Sequence, residues 1–324
     1  MITNVKKWLD QRLTIRPRMQ YIIFKIFSQL RSIGCSFLNG RHFDSNNLDF
    51  VFIVGSGRSG NTLLRKLLME RASIYIPPES YVIPTTVNGL LKAGSFSWDE
   101  KVDFFLARFE YYPEFETFGI DSLRAFAIEA KSWPKDEHNI GLLLNRLYFW
   151  IAEQKGLSVK WVGDKTPFNT LRLGLLNKLF PDARYIYIER DGADVAASYM
   201  RAGIYNNIVD GAIRWKSSKK AWRSFKRGLT RRRYFEVRFE ELVADPNLVL
   251  DELLRNLGIQ AREERVDMTR LLGDVGARDH HGNVLNEANP NSIGKGRAEL
   301  AEPDRMLLRA TINDELLDSG YEAV

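Results

Sequence analysis

Cysteine is almost missing from this chain of 324 residues: Cys35 stands alone, so no disulfide can close within it. A disulfide-stapled secreted scaffold is thereby excluded, and a reducing, cytoplasmic setting is the expected compartment. Histidine is nearly as rare, with four in all. No zinc-finger spacing, RNA-binding signature or helix-turn-helix pattern is present, so nucleic acid is not an expected partner. Long apolar runs are lacking too. The stretch Tyr21–Phe27 is interrupted by Lys25 and is too short to span a membrane. No small-residue cleavage site follows it, so a secretory leader is not expected. No Pro/Gly/Ser-rich tract, internal repeat or low-complexity segment divides the chain.

What is present is apolar bulk and positive charge. A hydrophobic share of 44% is enough for one large α/β core. The formal net charge of +6 and the pI near 9.2 suit an anionic ligand or an acidic surface. Continuous apolar runs at 50–54, 73–76, 159–163, 184–189 and 234–238 predict strands buried on both faces. Helical patterns cover 61–71, 99–111, 120–131, 139–155, 168–180, 191–202, 207–228, 239–257 and 303–319. Asp99 and Asp121 read as helix N-caps, and Pro167, Pro246 and Pro303 sit near helix starts. Strands alternating with helices predict an α/β fold of three layers, with a central parallel five-stranded sheet and ligands at its carboxyl edge. Residues 49–324 read as one domain, with the mostly helical stretch 80–158 inserted between the second and third strands as an acceptor-binding cap.

Residues 1–48 read as a basic amphipathic helical extension. Ile22, Ile26, Phe27, Leu30 and Ile33 recur at helical spacing among Arg16, Arg18, Lys25 and Arg31. The pattern admits two placements. A helix packed on the domain's own core is the commoner solution. An interfacial helix would instead give residues 1–33 a peripheral contact with the inner face of an anionic membrane.

The most informative stretch is Phe50–Val54 followed by Gly55-Ser-Gly-Arg-Ser-Gly-Asn-Thr62 and a helical pattern from Leu63. A buried strand, a glycine-rich turn and a helix start form an anion cradle, because backbone N–H groups and the positive end of the helix dipole converge on what the loop wraps. The spacing fits the first part of G-x-x-x-x-G-K-[ST], but Asn61 stands where the lysine belongs. That lysine serves the β and γ phosphates, so an ordinary ATP or GTP hydrolase is disfavoured. The cation lies inside the loop instead, as Arg58. A second constellation follows the fourth strand, where Arg190 ends the run Arg184–Glu189 and Ser198 stands eight residues further on. An arginine fork and a serine hydroxyl suit a phosphate. A salt bridge of Arg190 to Asp191 or Asp194 is the structural alternative. Two separate anion sites point to a ligand with phosphates at two ends.

These residues resemble the sulfotransferases that use 3′-phosphoadenosine 5′-phosphosulfate (PAPS), in the branch holding bacterial enzymes and the protein-tyrosine sulfotransferases. The resemblance runs from about residue 50 to 300 and implies a P-loop-like fold. It implies that Arg58, Ser59, Gly60, Asn61 and Thr62 bind the 5′-phosphosulfate, and that Arg190 and Ser198 bind the 3′-phosphate. Phe239-Glu-Glu-Leu-Val-Ala-Asp-Pro246 is similar to a segment near the adenine, with Phe239 in place of tyrosine. Ser292-Ile-Gly-Lys-Gly-Arg297 is similar to a basic loop that closes over the nucleotide, where Lys295 or Arg297 would reach the 3′-phosphate and Gly296 replaces a frequent tryptophan. Pro78-Glu-Ser-Tyr-Val-Ile-Pro84 matches the segment in which the tyrosine-sulfotransferase branch carries its catalytic glutamate, which assigns the general base to Glu79. Lys165, in Val162-Gly-Asp-Lys-Thr-Pro167, matches a lysine near the transferred group.

In-line sulfuryl transfer works by positioning and charge stabilisation, so Arg58 and Lys165 would serve the departing phosphate of the product, 3′-phosphoadenosine 5′-phosphate (PAP), and no metal is expected. Asp164 is expected to hold Lys165 or a backbone turn rather than magnesium. His138 reads as a solvated loop histidine, and Asp279-His-His-Gly-Asn283 as surface or acceptor-lining residues. Trp98, Phe104, Phe105, Phe109, Tyr111, Tyr112, Trp133 and Trp150 enrich the cap in rings, most of them expected in the core. The favoured acceptor is a carbohydrate or glycolipid hydroxyl. The alternatives are a tyrosine, phenol or other small-molecule hydroxyl, and, in other classes, a nucleotide kinase with a degenerate loop or a non-catalytic nucleotide binder.

Overall fold

A computed structural model of the chain describes residues 48–92, 96–262, 271–272 and 290–324. The N-terminal extension and the His280–His281 pair lie outside the described residues. The sheet is built from β1 (Phe50–Gly55), β2 (Ile74–Tyr75), β3 (Trp161–Asp164), β4 (Arg184–Glu189) and β5 (Tyr234–Arg238), all parallel and in the order β2-β3-β1-β4-β5. β1 is the central strand, with Phe52 opposite Asp164 of β3 on one side and Tyr185 of β4 on the other. All six of its residues are buried, which is why the run lacks polar alternation. Phe50 and Phe52 stack with Phe180 and Tyr185.

The helices follow as α1 (Asn61–Arg71), α2 (Ile83–Lys92), α3 (Trp98–Glu110), α4 (Arg124–Lys131), α5 (Ile140–Gln154), α6 (Leu173–Leu179), α7 (Gly192–Arg201), α8 (Ile208–Lys226), α9 (Phe239–Ala244), α10 (Pro246–Leu257), α11 (Lys295–Ala298) and α12 (Glu302–Leu317). α2 to α5 lie between β2 and β3 in the chain. α7, α8 and α12 share a second core of Val195, Ala196, Trp215, Leu308 and Ile312. Among the described residues no helix is long and apolar enough to cross a membrane.

The expected strands and their parallel arrangement are found, but β5 is an edge strand in which only Val237 is buried rather than a strand covered on both faces, and several helix boundaries are corrected. The single helix expected over 239–257 is two, because Pro246 has no N–H to continue the first. Asp245 leaves the helical region and its side chain accepts from the Leu248 N–H at 3.0 Å, starting the second. Asp99 is not a cap: Ser97 is, in a reciprocal capping box with Glu100. Asp121 is no cap either, since α4 begins at Arg124. The stretch expected to form one helix over 168–180 opens with a tight 3₁₀ segment, Pro167–Arg172, before α6. α2 was not anticipated, since Pro84 stands within its first turn.

Candidate active site

Glu79, Lys165, the glycine-rich loop, Arg190 and Phe239 each follow the carboxyl end of a strand, so strand order sets their order in space. Along the edge the sequence is Glu79 after β2, Lys165 after β3, the glycine-rich loop after β1, Arg190 after β4 and Phe239 after β5. Strands lie about 4.8 Å apart, so the step from β3 across β1 to β4 is on the order of 10 Å, the scale of a ligand charged at both ends.

The loop is shaped by two residues in the left-handed region, Arg58 (φ 66°) and Gly60 (φ 93°). Gly60 also lies so close to Phe239 that an added Cβ would fall 2.4 Å from its ring. The turn delivers α1 with no side-chain cap and no acid in its first turn, leaving its N-terminal N–H groups for an anion. Asn61, in the position of the missing lysine, turns back and donates to the Ser56 carbonyl at 2.7 Å, which braces the loop.

The lysine is supplied from β3. Lys165 is buried, and its Nζ donates to Thr62 Oγ1 at 3.1 Å and to Glu79 Oε1 at 2.5 Å. One ammonium thus joins the anion loop to the carboxylate assigned as base. The other Glu79 oxygen accepts a hydrogen bond from the Tyr81 hydroxyl. Arg65, a fully buried arginine on α1, donates to the Pro77 carbonyl at 3.2 Å and so fixes the turn that carries Glu79.

At the other end Arg58 Nε donates to Ser198 Oγ at 3.1 Å, joining the loop to α7. Arg190 bridges to Asp194 at 3.1 Å, donates to the Ser292 carbonyl at 2.5 Å and lies 4.5 Å above the Phe239 ring. The Asp194 contact anticipated as the structural alternative is therefore present, and it does not exhaust the guanidinium. Arg190 Nε and Ser59 Oγ are buried polar atoms with no hydrogen-bond partner among the described residues. Orphaned donors of this kind, beside a helix start, fit a phosphate-bearing ligand. Burial holds the Arg58 guanidinium below its ordinary value; the Arg190 and Arg201 cations act in the same direction, while Tyr199 and Glu79 oppose them. An anion placed among these arginines would relieve that crowding.

The basic loop splits its two cations. Asp194 accepts from the backbone N–H groups of Gly294 (2.8 Å) and Arg297 (2.9 Å), pinning the loop to α7. The Arg297 side chain turns away to Asp191 at 2.7 Å and to the carbonyls of Glu322 and Ala323. Lys295 is exposed at the head of α11.

Two expectations are narrowed here. Asp164 does not hold Lys165: it accepts from Tyr148 at 3.0 Å and from Asn169, in the 3₁₀ turn that follows β3, at 2.7 Å, and burial raises its pKa to about 6. His138 is only partly solvated: it is half-buried, its ring stacks on Trp98 at 4.6 Å and its Nε2 contacts the Trp133 carbonyl at 2.9 Å. Sequence reasoning missed Tyr81, Arg65 and Tyr199. Tyr199 packs so tightly on Gly57 that a Cβ there would lie 2.6 Å from its hydroxyl. The glycine carried that signal, but not which ring would meet it.

A family model described as the Sulfotransferase family matches residues 50–263. Protein-tyrosine sulfotransferase 2 of Gallus gallus is 24% identical over 238 residues, covering 72% of this chain and 57% of that protein, so the chain spans somewhat over half the length of this curated relative. Among solved structures, the sulfotransferase domain of the Synechococcus PCC 7002 olefin synthase is 23% identical with a TM-score of 0.52, covering 82% of this chain and 96% of that one. The sulfotransferase domain from the curacin biosynthetic pathway is 21% identical with a TM-score of 0.56, covering 86% of this chain and all of that one. These two likenesses bear on the fold. The family match takes in all five strands and the loops that carry Glu79, Lys165, Arg58 and Arg190, and the chain belongs to the sulfotransferase family.

Proposed function

We propose that this chain moves a sulfuryl group from PAPS to an acceptor hydroxyl, with Glu79 as general base. The observation that carries the reading is the buried chain Thr62–Lys165–Glu79, which places an anion loop, a cation and a carboxylate within hydrogen-bond reach of one another. The donor supplies the sulfuryl group; the protein supplies position and charge. Arg58, Ser59, Gly60, Asn61 and Thr62 would hold its 5′ end, Arg190 and Ser198 its 3′-phosphate, with Phe239 beside the adenine. Of the closing loop's cations, the exposed Lys295 suits the 3′ end better than Arg297, whose guanidinium is committed to Asp191. Glu79 accepts the acceptor proton, while Lys165 and Arg58 stabilise charge developing on the leaving phosphate.

For the acceptor, a carbohydrate or glycolipid hydroxyl remains the first reading. Its support from the cap aromatics is narrowed, because Trp98, Phe105, Phe109 and Trp133 are buried. The phenol alternative is favoured by one observation: a phenol oxygen, that of Tyr81, already seats against Glu79. Calorimetric titration with PAP and with ATP tests the donor, and transfer of labelled sulfonate from PAPS into a metabolite library tests the acceptor. Binding of PAP but not ATP, with a labelled ester by mass spectrometry, is expected. Binding of ATP without PAP would return the chain to the kinase reading.

A further inference from the structure

Tyr81 combines three features that ordinary packing does not require. Its backbone is left-handed (φ 51°), and the only other non-glycine residue in that region among the described ones is Arg58 of the anion loop. Left-handed conformations of non-glycine residues cluster where function needs them. Its hydroxyl donates to Glu79 Oε2, opposite the oxygen held by Lys165. Its ring is 40% exposed although Ser80 and Val82 on either side are buried. The backbone flanking it is also anchored. Arg65 binds the Pro77 carbonyl, and the Val82 carbonyl accepts from the Thr86 N–H at 2.9 Å and the Thr86 hydroxyl at 2.7 Å. With its flanking backbone anchored, a departure of the Tyr81 hydroxyl would require rotation of its own side chain rather than movement of the turn that carries Glu79.

We propose that Tyr81 is a positioning residue that stands in for the acceptor: its hydroxyl occupies the hydrogen-bonding site on Glu79 that an acceptor hydroxyl takes during transfer, and keeps water from it until then. The inference rests on the reading of Glu79 as base and PAPS as donor. A water bound at that oxygen would have a damaging alternative open to it. Its oxygen would form a bond to the sulfuryl sulfur, the sulfur–oxygen bond to the 5′-phosphate would break, and its proton would pass to Glu79, giving sulfate and PAP with nothing sulfated. A resident phenol, held by a strained backbone at the mouth of the site, blocks that water and yields to an acceptor that binds with more than one contact.

The test is acceptor-independent hydrolysis of PAPS by Tyr81→Phe, which keeps the ring and removes the hydroxyl. Hydrolysis should rise ~10-fold, the scale of one displaced hydrogen bond, and the rise should vanish in Glu79→Gln/Tyr81→Phe. A merely structural Tyr81 would leave hydrolysis unchanged or lower. Proton NMR of the unliganded chain supplies a readout independent of turnover: a downfield hydroxyl resonance should be present in the wild type and absent from Tyr81→Phe and Glu79→Gln. PAP calorimetry separates the two levels of failure. If PAP fails to bind the wild type, the donor reading and this inference fall together. If PAP binds both proteins equally while hydrolysis is unchanged, only the role of Tyr81 is overturned. A sulfate ester found on Tyr81 itself after incubation with PAPS would also overturn it, because the residue would then be an acceptor rather than a stand-in.

Discussion

Glu79 and Lys165 form a buried ion pair whose cation is shared with Thr62, and that arrangement decides which substitution is informative. Glu79→Ala would strand a buried ammonium, a loss of about 3–5 kcal/mol in comparable pairs. Glu79→Gln keeps an oxygen for Lys165, so the fold and PAP affinity should survive while turnover falls by ~10²–10⁴, the contribution of a positioned base. The loss should appear in kcat. His138→Ala should leave turnover nearly unchanged, its ring being committed to Trp98; the reverse pattern in steady-state kinetics would move the base to histidine. Arg190→Ala should weaken PAP binding by about 1.5–3 kcal/mol, the range for a charge-assisted contact, and Ser198→Ala by less. Unchanged affinity by calorimetry would take Arg190 out of the site. Asp164 offers a pH test. Its folded-state pKa of about 6 lies above the usual 3.8, so between those values the folded chain keeps a proton that the unfolded chain has lost. The stability this group contributes is complete below the unfolded value and is lost as pH rises through the folded one. Asp164→Asn should remove that decline, so the stability difference between wild type and variant in urea should change across this window and be flat above it.

At the scale of elements, the turn between β1 and α1 is the part least tolerant of change. Gly60 must be left-handed and must also admit the Phe239 ring, so the turn and α9 constrain one another. Gly60→Ala should therefore cost about 2 kcal/mol or more in urea denaturation, from backbone strain alone before the ring moves. PAP affinity should fall with it, since the loop's N–H groups and the head of α1 shift together. A variant as stable and as tight as wild type would mean that the turn is not shaped as described. The break between α9 and α10 shows the same economy: a residue without an N–H ends one helix, and the carboxylate before it starts the next.

For the whole molecule, the five strands present their loops on one edge, where Arg58 and Arg190 gather, and the proposed donor would bind there. A ligand that binds only the folded chain stabilises it by about 2.7 kcal/mol at a concentration of 100 Kd. For a domain of this size that corresponds to a rise in Tm of roughly 4–5 °C with PAP. ATP, whose γ-phosphate has no loop lysine to meet, should give little. The shift should shrink as salt is raised, because the exposed part of the attraction is screened. An equal response to both nucleotides in thermal melts would contradict a site built for phosphates at two ends.

Element type and order were fixed by the chain itself. Strands buried on both faces must be continuously apolar, and Phe50–Val54 and the apolar centre of Arg184–Glu189 announce themselves on that ground, whereas the edge strand Tyr234–Arg238, with only Val237 buried, carries a weaker signal. A glycine-rich turn between strand and helix is likewise visible in the chain itself, so the shape of residues 55–62 and the lysine they lack were legible without the structure. The resemblance located Glu79, Lys165, Arg190 and Ser198 but not their contacts. Only the tertiary structure decided the strand order, which puts β3 between β2 and β1 and so brings Lys165 to both Thr62 and Glu79. It also decided that Asp164 serves Tyr148 and Asn169, that His138 is half-buried and stacked on Trp98, and that Tyr81 sits on Glu79. Local propensity depends on neighbours three or four residues away along the chain, whereas these pairings depend on how a strand, a helix or a turn packs on the next, or on one left-handed dihedral that no composition announces.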